Sequence, residues 1–280
     1  MYILFLTTLA LVAFAANSIL CRLALYEGLM DAGSFTAVRL ISGALMLGLI
    51  VSLRKQQQYN LQSSGSWLAA LLLFIYAITF SYAYIALDIA TGALILFAAG
   101  QITLILAALF YGSRLSLLEW LGLLLAFSGF IYLMLPSATT LSWGGFVLMS
   151  ISGVVWGLYA LMGKSSNQPL ADTTSNFIRS IPMVVLLMLF SFEYTNLNAQ
   201  GLLYAVLSGA IASGVGYTIW YMALEKLQTI HVAVVQLLVP VLAALEGVML
   251  LNETITMQFI IASIIILTGV LLVVLQRNKA

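Results

Sequence analysis

Four ionisable side chains stand inside stretches that are otherwise apolar: Arg39, Arg179, His231 and Glu246. A charge in a hydrocarbon environment is costly, so each is expected to face a cavity or a partner. Arginine presents a planar, bidentate fork to a carboxylate or phosphate. The other role for Arg39 and Arg179 is snorkelling, or pairing with helix-end carbonyls at a gate rim. Their symmetric placement near opposite ends of their segments favours that second role. A lone buried carboxylate such as Glu246 is suited to carrying a proton, or to a static ion pair with Arg39 or Arg22. His231 titrates near neutral pH and is a candidate pH-sensitive gate.

The uncharged polar residues offer weaker chemistry. Gln101 and Gln236 lie in the middle of apolar runs, where an amide hydrogen-bonds either a ligand or a neighbouring helix. Asn17, Thr79, Thr103 and Asn176 face the same choice. Tyr76, Tyr82, Trp156, Tyr159, Tyr217 and Trp220 lie deeper than the Trp67, Trp120 and Trp143 of an interfacial belt. Their hydroxyl and indole groups need partners when buried. A cavity lined by them suits an aromatic, apolar or cationic solute. Pro240, beside the centre of its run, is a candidate bend, and Pro182 is a second interruption.

These residues can only be positioned by helices across a bilayer. The 280 residues are 63% hydrophobic and 7% charged, against about 25% charged in soluble domains. A mean hydropathy of +1.13 leaves no room for a water-soluble domain. The net charge of +1 lacks the clustered basic face of a nucleic-acid binder. Cys21 is the single cysteine, so an intrachain disulfide and CxxC-type zinc sites are excluded. No cofactor is expected. Ala13-Phe14-Ala15 has the look of a cleavage site, but no basic residue precedes the first apolar run, so an uncleaved first helix is expected.

About 20 apolar residues cross the hydrocarbon core. Ten such spans are predicted, near 2–21, 34–53, 67–87, 91–111, 117–135, 144–163, 172–190, 201–223, 229–251 and 257–276. With both termini in the cytoplasm, Arg54, Lys55, Arg114, Lys164, Lys226, Arg277 and Lys279 fall on the cytoplasmic side and Arg22 alone on the other. That asymmetry predicts a multi-pass protein of the inner cell membrane with both ends inside.

The ten spans read as five written twice, residues 1–137 and 138–280. Arg39 in AVRLISGALML matches Arg179 in FIRSIPMVVLL, and Tyr84-Ile85-Ala86-Leu87-Asp88 matches Tyr221-Met222-Ala223-Leu224-Glu225. Gly112 to Ser116 aligns with Asn252 to Thr256, Ser128-Gly129 with Thr268-Gly269, and Gly100 with Pro240. An odd count per copy makes the copies enter the membrane in opposite directions, the plan of many secondary transporters. Glu246, His231, Gln101 and Pro240 break the repeat.

The order of these landmarks resembles the EamA family of the drug/metabolite transporter superfamily. Val239 to Thr256, VPVLAALEGVMLLNETIT, carries the likeness best, and it extends over the whole chain. Gly100-Gln101 and Ser113 stand where the family often has Pro and Glu. The resemblance implies an all-α integral membrane fold of two inverted five-helix repeats around a central cavity. It also implies export or exchange of amino acids or other small metabolites. The expected partners are a small-molecule solute, protons and the lipid bilayer, with assembly as a homodimer left open. A channel predicts a polar ring along a pore, whereas the polar groups here are scattered. An intramembrane enzyme lacks its motifs: there is no HExxH, no GxSxG and no carboxylate pair within one span.

Overall fold

The structure, a computed structural model, describes residues 2–26, 28–54, 61–110, 116–134, 142–163, 166–191, 196–224 and 235–277. Nearly all of them are helical, and the one β-type pairing among them is an isolated bridge between Met30 and Leu197. The helices are α1 (Tyr2–Tyr26), α2 (Ala32–Leu53), α3 (Trp67–Ala83), α4 (Ile89–Phe110), α5 (Leu117–Met134) and α6 (Trp143–Gly163). They continue with α7 (Pro169–Ser191), α8 (Ala199–Val206), α9 (Gly216–Leu224), α10 (Val239–Leu251) and α11 (Met257–Arg277). A π-helical segment, Leu207–Val215, joins α8 to α9 without a break.

Seven of these runs, counting α8 to α9 as one, are long and apolar enough to cross a membrane. The shorter apolar helices are α3, α5 and α10. Many large hydrophobic side chains lie on the outer surface. Phe110 is 91% exposed and Phe190 86%, which suits a lipid-facing wall and not a water-facing one.

Short polar residues set the helix starts. Asp31 accepts from the Ser34 backbone N–H at 2.8 Å, Ser66 from Ala69 at 3.1 Å, and Asn198 from Gln200 at 2.9 Å. Ser116 and Glu119 form a reciprocal capping box at the head of α5. Asn252 closes α10 in the left-handed conformation, φ 53°, which asparagine tolerates better than most residues.

Packing is set by small residues. Gly153 and Gly157 of α6 form a small-xxx-small pair that faces a neighbour: a methyl on Gly157 would stand 2.8 Å from the Gly100 carbonyl oxygen of α4. Gly122 of α5 and Gly269 of α11 approach each other in the same way. The main packed pairs are α5 with α11, α4 with α6, α3 with α6, α2 with α7, and α2 with the π segment. Further pairs are α3 with α7, α4 with α10, and α1 with both α9 and α10.

The predicted spans are corrected at several ends. The first runs on past Arg22 to Tyr26, and the seventh starts earlier, at Pro169. The third stops at Ala83, because residues 84–87 form a turn. The ninth is broken: a turn at residues 237–238 precedes Val239. Pro240 therefore occupies the first turn of α10, where its missing N–H costs nothing, and is not a bend within a continuous helix. Pro182 does lie inside an unbroken helix, α7.

Candidate functional site

Arg39 leaves α2 for the middle of the bundle, where it is 3% exposed. Its Nη2 donates to the Tyr76 hydroxyl at 3.1 Å. Its guanidinium lies 4.8 Å from the Phe80 ring centre and 5.3 Å from that of Tyr76. Tyr76 and Phe80 are four apart on α3, so one helix face supplies both. Cys21 and Tyr217 are within electrostatic reach. Nη1 is buried and has no hydrogen-bond partner. No described carboxylate lies within ion-pairing distance of Arg39, because the ion pairs found are those of Arg22.

Further aromatic rings pack on Tyr217 and its neighbours. Phe14 packs on Tyr217 at 5.6 Å and on Trp220 at 5.7 Å, and Phe177 packs on Tyr217 at 6.3 Å. Tyr217 stacks on Tyr221 at 6.1 Å, again a pair four residues apart. Asn17 of α1 accepts from Ser208 at 2.8 Å and Ser213 at 3.4 Å, tying α1 to both ends of the π segment. The same segment meets α2 so closely that a methyl on Gly209 would overlap the Arg39 carbonyl oxygen.

A second polar layer joins α6, α7 and α9. The Thr173 hydroxyl is hydrogen-bonded to Tyr221 at 2.5 Å, and the Tyr159 hydroxyl donates to Thr173 at 3.4 Å. Asn176 donates to Tyr159 at 3.4 Å and accepts from the Ser66 N–H at 2.9 Å. Around it the turn before α3 docks on α7. Asp172 accepts from the Gly65 N–H at 2.7 Å and from Ser166, and Arg179 donates to the carbonyls of Ser64 and Gln62 at 2.5 and 3.1 Å. Gly65 adopts φ 66°, a conformation that favours glycine.

The third layer is charged. Arg22 donates to the carbonyls of Tyr84 and Ile85 at 2.9 and 3.2 Å, and thereby satisfies the exposed end of α3. It pairs with Asp88 at 3.6 Å and Glu253 at 3.8 Å, and lies 4.0 Å from the centre of the Tyr26 ring. Both oxygens of Glu253 accept from the Ile89 N–H at 3.0 Å, capping α4 from the other half of the chain. Burial pushes the Glu253 carboxyl above the ordinary range. Nearby, Asp31 accepts from the Asn196 N–H at 3.0 Å as well as capping α2. Between this layer and Arg39, a chain of hydroxyls runs from Thr36 to Ser81 at 2.8 Å and on to the buried Cys21.

The structure therefore brings Arg39, Tyr76, Tyr217, Trp220 and Asn17 to one region, and Tyr159 close to it. It separates others. Tyr82 is 40% exposed and lines a cleft with Leu25, Asp31 and Ile85. The Thr79 hydroxyl bonds back to Ile75 and Tyr76 of its own helix. Gln101 donates to Gln236 at 3.2 Å, so these amides join α4 to the segment before α10. Trp156 packs on Phe97 and over Gly100.

Arg179 and Arg39, aligned with each other in the sequence, have different surroundings: carbonyls for one, aromatic rings for the other. Glu246 is half-buried with Oε2 unpartnered, and the static pair expected with Arg39 or Arg22 does not form. Arg22 uses Asp88 and Glu253 instead. His231 lies outside the described residues. The reading from sequence missed Phe14, Phe80, Phe177, Arg22 and Glu253. The i, i+4 spacing of Tyr76 with Phe80 was the available signal for one of them. Among the described residues no cluster of three metal-ligating side chains occurs.

The model of the EamA-like transporter family matches residues 1–135 and 143–275. An uncharacterized protein of Pseudomonas aeruginosa is 48% identical over 98% of this chain and 95% of its own. An uncharacterized transporter of Archaeoglobus fulgidus is 31% identical, with 62% and 63% covered. A crystal structure that is 17% identical superposes over 97% of both chains with a TM-score of 0.65, a likeness of fold alone.

Proposed function

The chain belongs to the EamA-like transporter family, and we propose that it is a secondary transporter moving a small metabolite, such as an amino acid or related amine, by alternating access. Ten spans form two inverted repeats, residues 1–137 and 138–280, with both termini in the cytoplasm of an inner-membrane protein. Export or exchange is the expected direction. Arg39, Tyr76, Tyr217, Trp220 and Asn17 lie at the site between the halves.

The observation that carries this reading is the pattern of helix packing. Exchange each element for its repeat counterpart: α1 for α6, α2 for α7, α3 for the α8–α9 run, α4 for α10 and α5 for α11. The pair α4–α6 becomes α10–α1, and α3–α6 becomes α9–α1. The pair α3–α7 becomes the π segment with α2, and α2–α7, α4–α10 and α5–α11 return to themselves. A pseudo-twofold axis accounts for this closure. Asp31 and Asp172 obey it too. Each sits at the head of the second helix of its half and accepts a backbone N–H from the loop preceding the third helix of the other half. In the proposed topology these two ties lie at opposite faces, as a pair of gates requires.

The test is flux into proteoliposomes holding the purified protein. A carrier gives saturable uptake that preloaded solute on the far side accelerates. Linear flux with unitary conductance steps would replace this reading with that of a channel.

A further inference from the structure

We propose that Arg39 Nη1, the Tyr76 hydroxyl and the Tyr217 hydroxyl form an anion site that receives a carboxylate of the transported solute. This rests on the transporter reading and names the chemistry of its site. Arg39 and Tyr76 are joined, Tyr217 is within electrostatic reach of both, and among the described residues no carboxylate pairs with Arg39. Arg39 Nη1 has no partner. The Tyr76 oxygen accepts from Arg39 Nη2, which leaves its own proton to donate outward. Tyr217 lies within electrostatic reach of both Tyr76 and Arg39, and no hydrogen bond of its hydroxyl appears among the described residues.

A buried guanidinium without a counter-charge is costly in a bilayer. Snorkelling does not relieve it, since Arg39 is 3% exposed. Helix-end carbonyls do not relieve it either, in contrast to Arg22 and Arg179. The Phe80 and Tyr76 ring centres lie 4.8 and 5.3 Å from the guanidinium carbon, and Nη1 has no hydrogen-bond partner and is the atom left for a ligand. One full charge and two neutral hydroxyls match a singly charged carboxylate. A phosphate dianion would need a second cation, and among the described residues none adjoins. Phe14, Phe177 and Trp220, around Tyr217, give the carboxylate's substituent an apolar wall.

The experiment is thermal stabilisation of the full-length protein in detergent by matched probes: L-phenylalanine, L-leucine and L-alanine, each beside its own carboxamide, with phenyl phosphate as a further arm. At least one carboxylate should stabilise the wild type, its amide should not, and phenyl phosphate should be weaker. Arg39→Gln should weaken that carboxylate about 10- to 100-fold, the scale of one charged hydrogen bond. Tyr217→Phe keeps the ring packing and should weaken it about 2- to 10-fold. Unliganded melting of each variant reports folding separately. Amides that bind as well as acids, an unchanged response in Arg39→Gln, a preference for phenyl phosphate, or no response to any carboxylate would overturn the anion site. Saturable transport of a solute lacking a carboxylate would overturn it too, while leaving the transporter reading intact. Carboxylate binding that survives without saturable flux would overturn the transporter reading alone.

Discussion

Arg39 and Arg179, matched in the proposed repeat, have different neighbours. Arg179 is held by the carbonyls of Ser64 and Gln62. Arg39 meets only rings and a hydroxyl. The sequence shows the pair but not this difference, since Tyr76 and Tyr217 are brought to Arg39 by packing across long separations. Glu246, like Arg39 and Arg22, has a buried side-chain atom without a hydrogen-bond partner. With the expected arginine pairing absent, we propose it as the residue that carries a proton. Glu246→Gln is expected to keep solute exchange and to lose concentration of solute driven by a pH gradient. Gradient-driven accumulation by that variant, measured in proteoliposomes, would remove Glu246 from the coupling step.

At the scale of elements, hydropathy located every apolar helix but misjudged ends that are held by polar contacts. The tail of α1 is helical because Arg22 finds the carbonyls of Tyr84 and Ile85. The same contact ends α3 early. The π segment was not legible. From its N-cap Asn198 to Tyr221, the run through α8 and α9 is five residues longer than that from Ser66 to Tyr84, its counterpart in the first half. A wider turn takes up part of that excess and pushes backbone toward Arg39, and π segments tend to occur at functional sites. Gly209 allows the approach. Gly209→Ala is expected to cost about 1–3 kcal/mol through overpacking. Gly48→Ala, where nothing lies within 4 Å of the added carbon, should be neutral or stabilising by up to about 1 kcal/mol. Reversible unfolding of both variants in micelles checks the contrast. Equal effects would mean that α2 and the π segment do not meet as described.

For the molecule as a whole, the two halves are tied at three levels: Arg22 with Glu253, the region of Arg39, and Asp172 with Gly65. The proposed repeat rests in the sequence on Arg39/Arg179 and the Tyr84 and Tyr221 segments. The ties were not legible there, because they join residues that have no shared pattern. Glu253 gives the first tie a pH dependence. Its carboxyl is raised by burial, so the folded protein favours the protonated form more than the unfolded chain does. The stability it contributes is present at acid pH and is lost as pH rises from the ordinary value of 4.5 through the raised one. Wild type measured against Glu253→Gln should therefore lose relative melting temperature across that window. A flat difference would mean that Glu253 is unperturbed. The charged tie to Arg22 should open on acidification at a higher pH than an ordinary glutamate would give.

Alternating access is tested most directly at Cys21, the single thiol, buried between the Arg22 tie and Arg39. Labelling with a membrane-impermeant thiol reagent is compared from the outer and the inner side of oriented vesicles, for wild type and Glu253→Gln. Reciprocity is expected: releasing the Arg22 tie raises labelling from the outer side and lowers it from the inner side. Labelling that rises from both sides together would describe a pore, and labelling unchanged from either side would describe a static bundle; each contradicts the account.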